Sequence, residues 1–308
     1  LATVFALSVI GCGTKDTKEQ DAYRQYGITC MESGKYEDAV KAFQNALGES
    51  IGHIGEKELD ICFYKAKAQA LDGKTKDALA TYNAIIKYNK DARAYYLRGD
   101  LYMDMGEEKK GRADFESAVQ QGKKNYEIYI GIYESLSRHE KKDEGQKYLS
   151  AAMEIKGDKP EDELYKGRIS YLLGENKDAI SYLEKAKEHK QMLASYYLGL
   201  AYDANGDSDK AKKCIAEYIK SGVATSYDLY ELGMQEMQDG NYKNALTYFN
   251  SGLELEKVPN KQNLMKSAIA AYEYSGDFDS AKKMMKEYLK AYPDDEEAKH
   301  ENTFLETR

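Results

Sequence analysis

Proline and tryptophan are scarce in this sequence, and acidic residues outnumber basic ones. The chain has three prolines and no tryptophan among its 308 residues. Because proline interrupts helices more strongly than any other residue, nearly every stretch is free to be helical. Lys and Arg number 45 against 53 Asp and Glu, which gives a net charge of −8 and no broad surface for neutralising phosphates. Nucleic acid is therefore a poor candidate partner.

The overall composition excludes two classes of protein. Hydrophobic residues make up 42% of the chain and charged residues 32%, whereas membrane-embedded and disordered chains both have more skewed compositions. Tyrosine is the abundant residue, with 28 copies. The length corresponds to about two domains if the chain forms compact globules.

Residues that form catalytic or metal sites at short spacing are also missing. The histidines are far apart and lack cysteine or carboxylate partners at metal-ligand spacings, which predicts four surface residues: His53, His139, His189 and His300. Beyond Cys12, the odd number of cysteines favours buried free thiols over one disulfide with a leftover thiol: Cys30, Cys62 and Cys214. We expect no cofactor, no metal and no catalytic residue, although an active site assembled from distant segments stays open.

The amino-terminal stretch has the character of an export signal. Residues 1–11 read LATVFALSVIG and carry no charge. This run is too short to span a bilayer, which takes about 20 residues, but it matches the apolar core of a secretion signal. Residues 9–12, VIGC, resemble the lipobox of bacterial lipoproteins, in which the cysteine becomes the acylated first residue. The alternative is that residues 1–11 form an apolar helix that packs on the folded part.

The lipobox resemblance implies a location for the protein. We expect residues 1–11 to be a signal peptide remnant, Cys12 to be lipidated, and residues 12–19 to link the anchor to the folded part. Two or more lipid chains hold a protein stably on a membrane. The expected location is therefore the outer face of the bacterial cytoplasmic membrane, after export.

A period of about 34 residues dominates the rest of the chain. Taking the repeat starts at Gln20, Leu59, Ala92, Tyr126, Pro160, Met192, Ser226 and Gln262, the twentieth residue of each repeat is small and the twenty-fourth is large. The small residues are Ala39, Ala78, Gly111, Gly145, Ala179, Ala211, Ala245 and Ala281. The large ones are Phe43, Tyr82, Phe115, Leu149, Leu183, Ile215, Phe249 and Met285. This pattern predicts helices that cross closely at the small residue, where a larger side chain would overpack.

Two further positions repeat with the same period. Position 15 holds a glycine in seven repeats, with Glu140 as the exception, which predicts a turn between two helices. Position 8 holds Gly or Ala except for Tyr133 and Ile269 in the fourth and eighth repeats. All three prolines fall between repeats, where proline is least disruptive.

The recurring residues resemble the tetratricopeptide repeat, whose pattern combines a large residue, Leu-Gly, an aromatic, then Ala, Phe and a final Pro. The resemblance covers about residues 20–295. It implies an all-α fold, a right-handed α-solenoid of eight helix pairs. We then expect residues 296–308 to form a C-terminal capping helix, which an open-ended stack requires.

The same resemblance implies a binding groove. In this family the first helices line a concave side, and positions 2, 5, 9, 12 and 13 commonly face inward. Together with the neighbouring position 6, this rule predicts a peptide-binding groove that contains Tyr64, Lys67, Tyr96, Asp100, Tyr165, Arg168, Tyr196, Tyr197, Tyr230 and Met234. For any single tyrosine, packing between neighbouring helices is the favoured alternative.

An aromatic lining of mixed charge suits a peptide or protein segment. We therefore expect a membrane-anchored, non-catalytic scaffold that binds a segment of another envelope protein and assembles envelope or cell-surface complexes. Two alternatives stay open. One is a small-ligand carrier, sensor or enzyme accessory with an enclosed pocket inside the superhelix, and the other is self-assembly through the ends or edges of the solenoid.

Overall fold

The computed structural model describes residues 17–50, 54–157 and 159–308, and every regular element in those ranges is an α-helix. The predicted signal peptide remnant, the predicted lipid site Cys12 and His53 lie outside the described residues. The first helices of eight successive pairs are α1 (Thr17–Glu32), α3 (Glu56–Leu71), α5 (Ala92–Asp104), α7 (Tyr126–Arg138), α9 (Pro160–Leu173), α11 (Leu193–Ala204), α13 (Ser226–Gln238) and α15 (Lys261–Tyr274). The second helices are α2 (Tyr36–Gly48), α4 (Thr75–Asn89), α6 (Glu108–Gln121), α8 (Lys142–Met153), α10 (Asn176–Glu188), α12 (Ser208–Lys220), α14 (Tyr242–Leu253) and α16 (Phe278–Ala291), and α17 (Glu296–Leu305) follows them.

The chain divides into two compact units, one ending at Ile215 and the other formed by Ala216–Arg308. In the first unit, from α1 to α11, each first helix packs on its own second helix, and each second helix packs on the next first helix. Helices α13 to α17 of the second unit pack in chain order in the same way. First helices also touch one another, as α5 and α7 do and as α13 and α15 do. The predicted all-α solenoid of helix pairs is confirmed.

Small and large residues alternate in the core as the period predicts. The eight small residues at position 20 are all buried, and so are the eight large residues at position 24. The rings of Phe43, Phe115 and Phe249 have no exposed surface at all. Burying a large apolar side chain contributes about 1.5–3 kcal/mol, so position 24 is a principal source of stability in every repeat.

The glycines at position 8 make room for position 24. A Cβ atom added to Gly167 would lie 2.4 Å from Cγ of Leu183, and one added to Gly233 would lie 2.3 Å from Cε1 of Phe249. The fourth repeat differs, because position 8 holds Tyr133, while position 20 holds Gly145 and position 24 keeps the large residue Leu149. A Cβ on Gly145 would lie 3.2 Å from both Cα and the carbonyl oxygen of Tyr133. The two departures at position 8 are therefore buried, with Tyr133 and Ile269 both packed in the core.

The turn inside each helix pair is left-handed at position 15. All seven glycines there have φ between 70° and 84°. Glu140 adopts the same conformation, with φ of 60°, although it has a side chain. An L-residue in this region costs roughly 1–2 kcal/mol, so the fold imposes the turn on the fourth repeat against the preference of its residue.

The last helix is held by a small polar network. Asp295 precedes α17, and its carboxylate accepts hydrogen bonds from the backbone N–H of Ala298 at 3.1 Å and from the hydroxyl of Tyr288. Lys266 of α15 lies 2.8 Å from the same carboxylate. These contacts hold the pKa of Asp295 well below its usual range, chiefly through the hydrogen bond with Lys266. Leu305 is fully buried, so α17 covers apolar surface of the last pair.

Cysteines 30, 62 and 214 are free thiols, as the sequence predicts. Cys30 and Cys214 are buried, whereas Cys62 is only half-buried, and burial raises the pKa of its thiol. Within the described residues, none of the helices is long and apolar enough to cross a membrane.

Candidate functional site

The ten predicted groove residues lie on first helices, eight in the unit that ends at Ile215 and two, Tyr230 and Met234, in the other unit. Lys67 is exposed, and the remaining nine are half-buried. The eight residues of the first unit lie on α3, α5, α9 and α11, and we call the side of the helices α3, α5, α7, α9 and α11 to which they belong the first-helix face. It is described below from its rings and its charges.

Several of the tyrosines rest on the buried phenylalanines of position 24. The ring of Tyr64 lies 5.7 Å from that of Phe43 and nearly parallel to it, and the ring of Tyr96 lies 6.3 Å from that of Phe115. In the second unit, Tyr230 lies 6.2 Å from Phe249. One side of each ring therefore belongs to the core, as the alternative interpretation holds, while part of each ring stays exposed.

Other tyrosines pack on their neighbours along the first-helix face. Tyr165 stacks on Tyr126 with ring centroids 5.1 Å apart, and Tyr196 meets Tyr197 edge to face at the same distance. Tyr96 also fills the space beside Gly131 of α7, where an added Cβ would lie 2.6 Å from its ring. Burial, followed by the nearby carboxylate of Asp100, raises the pKa of the Tyr96 hydroxyl well above its usual value. Like any tyrosine hydroxyl, whose ordinary pKa is about 10, it is neutral at physiological pH and can donate a hydrogen bond.

Arginine–carboxylate pairs bridge successive first helices. Arg24 of α1 donates from Nε to Asp60 of α3 at 2.9 Å, and an oxygen of the same carboxylate lies 2.5 Å from Nη2. Arg138, at the end of α7, bonds Asp100 of α5 at 2.5 Å. Each pair joins residues about one repeat apart, so each charge is neutralised by the neighbouring repeat.

Arg168 is the most enclosed of these cations, with 18% of its side chain exposed. Its Nη2 donates to Glu134 at 3.0 Å and its Nη1 to Glu127 at 3.3 Å, while its guanidinium carbon lies 5.5 Å from the centre of the Tyr197 ring. Three partners fix the planar guanidinium on α9. Among the described residues Lys67 forms no ion pair, and its ammonium is free to meet a ligand.

One cluster on this face has the chemistry of a metal site. Asp100 and Asp104 lie one turn apart on α5, and His139 follows α7; their ligand atoms all lie within 4.8 Å of one another. His139 Nε2 is 3.1 Å from Asp104 Oδ1, and Arg138 already engages Asp100. The sequence prediction missed this contact because Asp104 and His139 are 35 residues apart, a spacing that joins adjacent repeats rather than turns of one helix.

Asp60, Arg138 and His139 were likewise missing from the predicted groove. The sequence signal for them is an acidic residue and a basic residue that lie about one repeat apart, each on a first helix. Short-range motifs do not include this spacing.

Comparison with known proteins agrees with this architecture. Two family models, both described as tetratricopeptide repeat, match the chain: one matches residues 65–126 and the other matches residues 193–221 and 262–295. The chain contains tetratricopeptide repeats. Such repeats generally mediate protein–protein interaction, which indicates a protein-interaction scaffold.

Solved structures of tetratricopeptide repeat proteins are similar to this chain at low identity. One is a tetratricopeptide repeat protein from Parabacteroides merdae, 12% identical, covering 82% of this chain and 99% of its own, with a TM-score of 0.48. PilW, a type IV pilus biogenesis factor, is 18% identical, covering 68% of this chain and 97% of its own, with a TM-score of 0.45. The APC/C hetero-tetramer Cut9–Hcn1 includes a chain 16% identical, covering 94% of this chain and 56% of its own, with a TM-score of 0.45. No curated protein matches the sequence.

Proposed function

We propose that this tetratricopeptide repeat protein is a non-catalytic scaffold that binds an extended or helical segment of another envelope protein on its first-helix face. The observation that carries the proposal is the pairing of half-exposed tyrosine rings with fixed charges along α3 to α11. Rings held by core phenylalanines lose little freedom when a ligand covers them, and their hydroxyls remain available as donors.

The charges on this face can determine how a bound segment aligns along the helices. Arg168 is held between two glutamates, and Asp100 is held by Arg138, so each presents a fixed pattern of donors and acceptors. A partner segment with complementary charge can align on such a pattern, whereas a mismatched segment would leave charges unpaired. Tyrosine contact area and charge register together suit one polypeptide segment rather than a small apolar ligand.

Site-specific photo-crosslinking tests the face. A photo-reactive amino acid at Lys67 of α3 is expected to capture a discrete partner from envelope extracts. The same residue at Lys87, exposed on the second helix α4, is the matched control and is expected to capture little. Equal capture from both positions would remove the first-helix face from the proposal.

The proposal also includes attachment to the outer face of the cytoplasmic membrane through a lipid on Cys12, as the VIGC segment indicates. The variant Cys12→Ser is expected to move the protein from the membrane fraction to the soluble fraction. The variant Cys62→Ser, at a half-buried free thiol, is expected to stay on the membrane. Membrane retention of Cys12→Ser would contradict the anchor and leave the binding face untouched.

A further inference from the structure

A polar pocket lies beside the fifth helix pair, and none of the ten predicted groove residues lines it. Its volume is about 290 Å³, near the lower limit for small-molecule sites. It lies wholly within the first unit, between the end of α8, the helix α9, and α10 with the residue that precedes it. Its lining residues are Met153, Ser170, Glu175, Asp178, Ser181, Tyr182 and Lys185.

Ser170 gives the pocket a buried hydroxyl without a partner. The residue has no exposed surface, and its Oγ forms no hydrogen bond within the described structure. Buried polar groups in folded proteins are nearly always hydrogen-bonded, because an unpaired one loses its contact with water and gains nothing in return. A ligand in the pocket would supply the missing partner.

The carboxylates of Glu175 and Asp178 depart from a charge pattern that five of the other seven repeats share. They stand at repeat positions 16 and 19, three residues apart. In five other repeats these positions carry one acidic and one basic residue: Lys35 and Asp38, Lys74 and Asp77, Glu107 and Lys110, Lys141 and Glu144, Asp207 and Lys210. Two of these pairs form ion pairs, Glu107 with Lys110 and Asp207 with Lys210.

The fifth repeat alone has two carboxylates at these positions, and neither forms an ion pair within the described ranges. Lys185 is the cation of the lining, but its ammonium lies over the Tyr182 ring, 5.7 Å from the centroid. It is seven residues from Asp178, or about 10 Å along the helix. The two carboxylates lie at the start of α10, where the helix dipole favours negative charge, and within the described residues no basic side chain forms an ion pair with them.

We propose that this pocket binds an organic cation through its ammonium or guanidinium group. The two carboxylates would accept N–H hydrogen bonds from the cation, which are stronger than neutral ones, and the Ser170 hydroxyl would accept another. Met153 and the Tyr182 ring would pack against the alkyl stem. The cation can be a free amine or the side chain of a lysine or arginine in a protein partner, because the recognising chemistry is the same.

Binding of three probes to the full chain tests the site, and it distinguishes a free amine from a partner side chain as the source of the cation. The probes are agmatine, N-acetyl-arginine methylamide, and N-acetyl-citrulline methylamide, which has the shape of the arginine compound without its charge. Calorimetric titration is expected to give both cations at least about tenfold tighter binding than the citrulline compound. Tighter binding of agmatine points to a free amine, and tighter binding of the arginine amide points to a partner side chain.

Three variants separate the pocket from the general charge of the protein. Asp178→Lys gives the fifth repeat the acidic–basic arrangement of the third and sixth repeats, so it is expected to fold and to bind the cations at least about tenfold more weakly. Asp77→Lys makes the same charge change at position 19 of the second repeat and is expected to leave binding unchanged. Ser170→Ala is expected to weaken binding several-fold without lowering the unfolding midpoint, because the hydroxyl has no partner to lose.

Two results would overturn the site. One is the absence of measurable binding by either cation up to about 10 mM, a range that includes millimolar dissociation constants. The other is unchanged affinity in Asp178→Lys. Neither result bears on the first-helix face, which this pocket does not share.

Discussion

Single residues in this array are matched to one another by size. Gly167 and Leu183 form one such match, in which the absence of a side chain on α9 accommodates a large one on α10. In the fourth repeat position 8 holds a large residue instead, and Tyr133 lies against Gly145 at position 20. The sequence identifies position 8 of this repeat as a departure from the pattern. It does not reveal that Tyr133 packs on Gly145, because that depends on which atoms face each other across the two helices.

The turn at Glu140 gives a prediction about a single residue. Replacing Glu140 by Gly removes the penalty of a left-handed L-residue, and we expect the free energy of unfolding to rise by about 1 kcal/mol. The glutamate side chain is exposed, so little packing is lost. Urea denaturation followed by circular dichroism measures the change.

The control for this prediction is Gly174→Ala, where φ is 82° and an added Cβ would have no neighbour within 4 Å. Only backbone strain changes at this position, and we expect the free energy of unfolding to fall by about 1 kcal/mol. A destabilised Glu140→Gly variant would mean that the glutamate side chain contributes more than its conformation costs.

At the scale of helices, polar contacts that span one repeat hold the elements together. Arg168 of α9 reaches α7, and Lys266 of α15 reaches the residue before α17. The period predicts where the helices begin and end to within a few residues, since glycines, prolines and apolar spacing are local signals. Contacts between helices are not local, and a long arginine can turn toward either neighbouring repeat. The sequence therefore predicts Arg168 as a groove residue without predicting that Glu134 holds it.

The network around Asp295 gives a prediction about the last helix. The pKa of Asp295 is lowered in the folded protein, so its contribution to stability is fully present above the unfolded pKa of about 3.9 and is lost progressively as pH falls from there through the lower folded pKa. Asp295→Asn keeps a side chain that can cap α17 but removes the charge opposite Lys266. We expect the variant to be less stable than the wild type by up to about 1 kcal/mol at pH 7, with a smaller difference at about pH 3.

Urea denaturation at the two pH values checks this expectation. Glu296→Gln is the matched control, because Glu296 is highly exposed and pairs with Lys299 of the same helix. It is expected to have no measurable effect at either pH. If the loss of unfolding free energy in Asp295→Asn were the same at both pH values, the effect would come from the changed hydrogen-bonding groups of the side chain and not from its charge.

At the scale of the whole chain, two compact units share one repeat pattern. The sequence predicts eight helix pairs and their register, because each repeat carries the same local signals. The division at Ile215 has no counterpart in the 34-residue period, since the residues on either side of it follow the pattern equally well. It follows from contacts between helices, and these contacts are not visible in the periodicity.

The two units give a prediction about how far the effect of a destabilising substitution extends along the chain. Stability in repeat arrays is a sum of repeat terms and nearest-neighbour terms, so a local change acts mainly on its neighbours. Gly167→Ala, which would overpack Leu183 by about 1–3 kcal/mol, is expected to lower amide protection in α9 and α10 and leave α15 to α17 unchanged. Gly233→Ala, which would overpack Phe249, is expected to do the reverse.

Hydrogen exchange followed by mass spectrometry measures both variants. Gly48→Ala serves as the control, since an added Cβ there meets nothing within 4 Å and φ is ordinary. Equal loss of protection in both units from either overpacking variant would show that the chain unfolds as one cooperative body.

The charge at position 9 determines what an internal deletion would do. Asp100, Glu134 and Arg168 occupy this position in the third, fourth and fifth repeats. Excision of residues 126–159 would splice the fifth repeat onto the third and remove Glu134 and Arg138 together. Asp100 would lose Arg138 and meet Arg168 at the new junction. Arg93, at position 2 of the third repeat, would however replace Glu127, which now pairs with Arg168, so removal of this module would bring two arginines together.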